Sequence, residues 1–289
     1  MGKHGYYHLF SDGFRADYLF EDRAAFVSGM NILACSFLKS DVCIMAFCLM
    51  DNHVHFILYG TLDQCMAFRD RFSHHYSLWY SKRYASKCLQ TLDFDIKHMD
   101  DERYILTSIA YVLRNSISAG FSFCPEDYLW SSGGLYFRDP EKLRIKCYKK
   151  VSEMTIRERR QCLRTRAEIP PEWLITSEGF IWPGNYVDYK RVESLYHTPK
   201  SFAYFMGQRK EDEINNTLGI YDTVFLPDFE LREKAVIRSS RLFATTNLRQ
   251  LDVRSRLILA KELRKEYRCS FKQIARIIHL DLKYIKELV

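Results

Sequence analysis

No apolar run in this 289-residue sequence approaches the roughly 20 residues that a membrane-spanning helix needs. The opening stretch Met1-Gly2-Lys3-His4-Gly5-Tyr6-Tyr7 has no apolar signal region. No membrane partner and no export are expected, and the chain is read as cytoplasmic. Its nine cysteines are odd in number, are scattered from position 35 to 269 and include no Cys-x-x-Cys pair. That argues against a zinc site or a disulfide framework and for reduced thiols in the core. Negative charge is scarce at one end only. Residues 230–289 hold 15 Lys/Arg against seven Asp/Glu, a net charge of +8, whereas 1–229 hold 28 against 29, a net of −1. A basic excess confined to one end is the electrostatic footprint of a nucleic-acid-binding module.

With 47% hydrophobic and 15% aromatic residues the chain can bury a sizeable core, and its length suggests about two domains. Residues 6–13 read as a strand closed by Asp12-Gly13. Phe26, Met30, Leu33 and Phe37 recur at helical spacing through 22–38. Two strands, 42–49 and 53–59, then flank Met50-Asp51-Asn52, a hairpin-length link. The second strand carries the most informative stretch of the chain. Val54, Phe56 and Leu58 alternate with His53 and His55. That period of two predicts a half-buried strand with both imidazoles on one face, able to grip one cation.

From 63 to 86 the pattern is helical, and Met66, Phe72, Tyr76, Trp79 and Tyr80 are assigned to the core rather than to a base-stacking surface. His74 and His75 are adjacent on that helix and point about 100° apart, so they are no chelating pair. A further helix runs from Asp100 to Ala119-Gly120, where Tyr111 and Asn115 stand one turn apart on one face. A phenolic hydroxyl there can attack phosphorus and form a covalent link. An amide oxygen one turn away can complete the coordination of a cation held by two histidines.

His53-Val54-His55 after a hairpin turn, Tyr111-Val112-Leu113-Arg114-Asn115-Ser116-Ile117-Ser118-Ala119-Gly120, and Pro125-Glu126-Asp127-Tyr128-Leu129-Trp130-Ser131-Ser132 together carry a family resemblance. From about Tyr6 to Ser132 the chain resembles the single-tyrosine HUH transposases, in particular the REP-associated tyrosine transposases. The resemblance implies an α+β, ferredoxin-like HUH nuclease core, with His53, His55 and Asn115 binding a divalent metal and Tyr111 as the nucleophile. The family usually has proline where this chain has Ser116, a departure that touches the helix path and not the ligands. The implied function is nicking and rejoining of hairpin-bearing single-stranded DNA through a 5′-phosphotyrosine intermediate, in the bacterial cytoplasm and nucleoid. Two imidazoles, one amide oxygen and no thiolate favour Mg²⁺ or Mn²⁺ over zinc for a phosphate substrate. Relatives occur as monomers and as homodimers, and both states stay open for this chain.

Beyond Ser132 the resemblance fades. Residues 136–235 read as a linker and helical extension of unknown role that includes Arg157, Arg159, Arg160, Arg164 and Arg166. In 236–289, Leu251, Leu257, Leu259 and Leu263 precede a stretch opened by Ser270 as N-cap, with Ala275 as the small residue of a tight crossing and a second helical run over 282–288. That looks like a helix-turn-helix DNA-binding module closing a mainly helical C-terminal region. The expected division is therefore 1–135, 136–235 and 236–289. Two other classes are weighed. A catalytically inactive DNA-binding regulator would not need Tyr111, His53, His55 and Asn115 all intact. A small-molecule metal hydrolase would show further ligands, and His98, His197 and His279 sit in no such context.

Overall fold

The computed structural model describes residues 2–11, 19–84, 94–119, 122, 124–139, 142, 147–163, 168–207, 228–267, 269, 271–281 and 284–285. Asp12-Gly13, Gly120, Arg164, Arg166, Ser270 and most of 282–288 lie outside them, and so do the expectations placed there. The chain forms two compact units. The first comprises Met1–Arg114 and Pro125–Gly207, the second Asn115–Cys124 and Gln208–Val289.

The first unit is built on strand β1 (Gly5–Ser11), helix α1 (Arg23–Phe37), strands β2 (Cys43–Leu49) and β3 (Val54–Gly60), helix α2 (Leu62–Arg83), strand β4 (Phe94–Met99) and helix α3 (Glu102–Ser118), whose last turn, from Asn115, is counted with the second unit. The four strands form one antiparallel sheet in the order β2-β3-β1-β4. The element sequence β-α-β-β-α-β with this strand order is the ferredoxin-like split arrangement of an α+β fold. Local signals start each helix. The Asp22 carboxylate accepts from the Ala25 N–H at 2.8 Å to open α1. Thr61 and Gln64 form a reciprocal capping box at α2, and the Asp101 carboxylate accepts from the Tyr104 N–H at 2.8 Å at the start of α3.

One sheet face is covered by α1 and α2. Phe56 packs edge-on against Phe68 and Phe72, and Phe72, Tyr76 and Tyr80 are buried as the helical spacing of α2 predicts, whereas Met66 and Trp79, assigned to the core with them, are only half-buried. The expectation of a half-buried β3 needs correction. β3 is central, paired with β1 and β2, and Val54 to Leu58 are buried without alternation. His53 precedes the strand, and only His55 belongs to it.

The described residues of the segment read as a linker fall in this unit up to Gly207 and in the second from Asp228. Leu49 donates to the Trp130 carbonyl at 2.8 Å, Ser132 to Phe47 at 3.1 Å and Asp188 to Ile44 at 2.8 Å, so β2 has backbone partners on its outer edge. The segment is not only helical. Strands β5 (Cys147–Lys150) and β6 (Leu174–Thr176) form a two-stranded antiparallel sheet. Helices α4 (Ile156–Cys162), α5 (Tyr189–Tyr196) and α6 (Pro199–Gly207) complete the unit.

In the second unit α7 (Asp228–Phe243), α8 (Val253–Tyr267) and α9 (Phe271–Ile278) pack on one another. Ile274, Ile277 and Ile278 are fully buried, whereas Ala275 is half-buried, so α9 packs through isoleucines and not through a small residue. The helix ends in a turn in which His279 takes φ 54° and Leu280 donates to the Ala275 carbonyl at 3.1 Å, a Schellman-type stop. Arg256 on α8 holds that turn by donating to the His279 carbonyl at 2.9 Å. Arg276 forms a two-pronged bond to the buried Asp228 carboxylate, at 2.9 and 3.1 Å, and reaches the Ala119 carbonyl at 3.3 Å.

Candidate metal and nucleophile site

The site lies on the sheet face opposite α1 and α2. Strand register places it there. Phe10 stands opposite His55 and His8 opposite Ile57, so His8, Phe10 and His55 share one face, and Lys97 of β4 stands opposite His8 on that same face. The turn before β3 closes with the Met50 N–H donating to the His53 carbonyl at 2.8 Å, which presents His53 beside His55. The two rings meet edge to face with centroids 4.9 Å apart.

Hydrogen bonds orient both rings. His53 Nδ1 lies 2.7 Å from Asn52 Oδ1, and His55 Nδ1 lies 3.1 Å from His8 Nε2. Burial, followed by the imidazoles of His53 and His8, holds the His55 pKa well below the usual imidazole range. Burial and then the Lys97 ammonium push His8 down to about 4. Both buried rings are therefore uncharged at neutral pH, the form in which imidazole binds a metal. Among the described residues no group of three or more His, Cys, Asp or Glu side chains is close enough to hold an ion by itself. A cation here would depend on two imidazoles, a neutral oxygen donor and oxygens of substrate or water. That donor set fits a hard ion at a phosphate.

Tyr111 projects from α3 toward these rings. Its ring stands edge-on to His55 at 5.6 Å and to His8 at 6.2 Å, and the residue is 42% exposed. The rings of His53 and Tyr111 thus both stand beside that of His55. Asn115 is half-buried one turn further along the same helix, its carbonyl accepting from the Ala119 N–H at 2.9 Å.

Two members of the cluster were not singled out by sequence reasoning. His8 is buried 47 positions before its partner His55, and Lys97 carries an exposed ammonium 5.4 Å from the Phe10 ring centre. The signal for His8 was its place between Tyr7 and Leu9 in a strand, which only the β1–β3 register turns into proximity.

No protein-family model matches the chain, and no curated protein matches it. Among solved structures, a REP-associated tyrosine transposase bound to a REP hairpin is similar to it, with 13% sequence identity and a TM-score of 0.34 over 44% of this chain and 76% of that one. No helix among the described residues is long and apolar enough to cross a membrane.

Proposed function

We propose that the chain is a metal-dependent endonuclease and strand-transfer enzyme of the transposase type, which nicks and rejoins hairpin-bearing single-stranded DNA through a 5′-phosphotyrosine at Tyr111. One observation carries this reading: an accessible tyrosine ring set edge-on, at 5.6 and 6.2 Å, to two buried imidazoles. A phenol beside uncharged imidazoles has few structural purposes on an exposed helix face, and nucleophilic attack is one it is equipped for.

His53, His55 and Asn115 would hold Mg²⁺ or Mn²⁺, which when bound draws electron density from the scissile phosphate and orients it. Tyr111 Oη attacks the phosphorus as its proton departs. The P–O3′ bond breaks, and the 3′ oxygen leaves and takes up a proton. The ester to Tyr111 keeps the energy of the broken phosphodiester, so attack by a 3′-hydroxyl reverses the step and rejoins DNA without another energy source. Lys97 stands where its ammonium meets a phosphate approaching His8 and His55.

The second unit is suited to bind the DNA flanks. On α8, Arg254, Lys261 and Lys265 are exposed and spaced seven and four residues apart, hence on one helix face. The decisive test incubates the protein with pooled hairpin-bearing single strands, labelled at the 3′ end, and Mg²⁺ or Mn²⁺. A labelled adduct that migrates with the protein on a denaturing gel is expected. Hairpin binding without any adduct would overturn the enzyme and leave the DNA-binding regulator.

A further inference from the structure

We propose that His8 is a positioning residue for the cation site, accepting the His55 Nδ1 proton so that His55 presents Nε2 to the ion. The inference rests on the metal reading given above. Its basis is the 3.1 Å approach of His8 Nε2 to His55 Nδ1 between two buried side chains on neighbouring strands. Two uncharged imidazoles at that distance share one proton along the line of contact, one ring donating and the other accepting. A ligating histidine is ordinarily oriented by a bond from its non-ligating nitrogen to an acceptor, and loss of that acceptor weakens the metal. Carboxylates, carbonyls and water are the usual acceptors. Here an imidazole occupies the place.

The surroundings favour this direction of donation. His8 is held by β1 between Tyr7 and Leu9, with Phe10 5.0 Å away on the same face. Its cross-strand neighbour on β4 is Lys97, which brings donors and a positive charge, so a neutral ring that accepts from His55 fits between the two. His8 therefore keeps a lone pair for the bond. An acceptor without charge also leaves the site's net charge to the cation, where a carboxylate would neutralise part of it and weaken its pull on a phosphate. Tyr111 stacks edge-on to both rings, so the bond fixes the wall against which the nucleophile rests as well as the ligand.

The test measures Mn²⁺ affinity of the full chain without DNA, by titration followed by electron paramagnetic resonance. The proteins are the parent, His8→Leu, His8→Gln and the double variant His53→Ala/His55→Ala. Leucine keeps the apolar volume and removes the acceptor, whereas the glutamine Oε1 stands near the place of the imidazole Nε2. His8→Leu should weaken Mn²⁺ binding about 10- to 100-fold while His8→Gln stays within a few-fold of the parent. Equal weakening in both would make His8 a packing residue and overturn the inference. Parent-like affinity in His8→Leu, with binding lost in the double variant, would also overturn it and leave the metal reading standing. Parent-like affinity in the double variant would remove the metal reading itself, and the inference with it. Nitrogen-15 NMR of the metal-free parent supplies a readout independent of affinity and of the variants' folding. It should show His55 protonated at Nδ1, and a proton at Nε2 instead would exclude the proposed role.

Discussion

The Tyr196 hydroxyl donates a 2.6 Å hydrogen bond to the Leu106 carbonyl, tying α5 to the helix that carries Tyr111. Tyr196 is fully buried, and its ring meets Phe202 edge-on at 5.0 Å. Tyr196→Phe keeps that packing and removes only the bond. A loss of about 1 kcal/mol is expected, and a melting temperature lower by about 3 °C. Because α3 then has one anchor fewer, single-turnover adduct formation should slow several-fold with hairpin affinity unchanged. An unaltered adduct rate at the lower melting temperature would show that the bond serves stability alone.

The core of the first unit was legible because its signals are local. Apolar spacing in α1 and α2, the Thr61/Gln64 cap and the short link at 50–52 each name an element without reference to the rest of the chain. The burial of β3 was not legible. Alternating His53 and His55 look solvent-facing until a second layer, here α3 with Tyr111, is known to lie over them. His8 was missed for the same reason: its meaning depends on β1 pairing with β3 in a register that sets Phe10 opposite His55. Strands β5 and β6 escaped because Cys147-Tyr148-Lys149-Lys150 and Leu174-Ile175-Thr176 are too short to show a period. Lys149 and Ile175 pair across a register shift that no sequence pattern announces.

Acid should destabilise the metal-free chain in a defined interval. His8 titrates at about 4 when folded and near 6.5 when unfolded, so between those values the unfolded chain binds more protons. The stability is fully present above about pH 6.5 and is lost as pH falls toward 4, at about 1.4 kcal/mol per pH unit. His55 acts in the same direction. Urea unfolding in the presence of a chelator should lose about 1.5 kcal/mol from His8 alone between pH 6.5 and pH 5. His8→Leu should flatten that slope, and an unchanged slope would contradict the assignment of a buried, uncharged His8.

The basic face of α8 makes a separate prediction about salt. Replacing Arg254, Lys261 and Lys265 by glutamine removes three exposed cations and touches none of the buried leucines of that helix. If all three meet phosphates of a single strand, the slope of log affinity against log salt should fall in magnitude by about 2. Adduct formation at saturating DNA should be preserved. A slope equal to the parent's would move the DNA path off α8.

Loss of the imidazoles should separate chemistry from binding. His53→Ala/His55→Ala is expected to abolish cleavage while hairpin affinity falls by no more than a few-fold, because affinity comes mainly from phosphate contacts elsewhere. Cleavage at the parent rate in the double variant would sink the ligand assignment.

The nucleophile itself can be decided between two tyrosines on one face of α3. Tyr104 and Tyr111 are seven residues apart, about 10 Å along the axis, and are 40% and 42% exposed, so exposure does not distinguish them. Position does. Tyr111 stacks edge-on to His55 and His8, whereas Tyr104 sits in the first turn, where its N–H is bound to Asp101 at 2.8 Å. A phosphate oriented by the imidazoles lies within reach of one turn of helix, which includes Tyr111 and excludes a residue two turns earlier. Tyr111→Phe deletes one oxygen at a half-exposed position and should cost little stability, so the fold and hairpin binding persist while the covalent adduct vanishes. Tyr104→Phe should form the adduct at the parent rate. The opposite pattern would give the attack to Tyr104 and require the DNA to pass the histidines from the N-terminal end of α3.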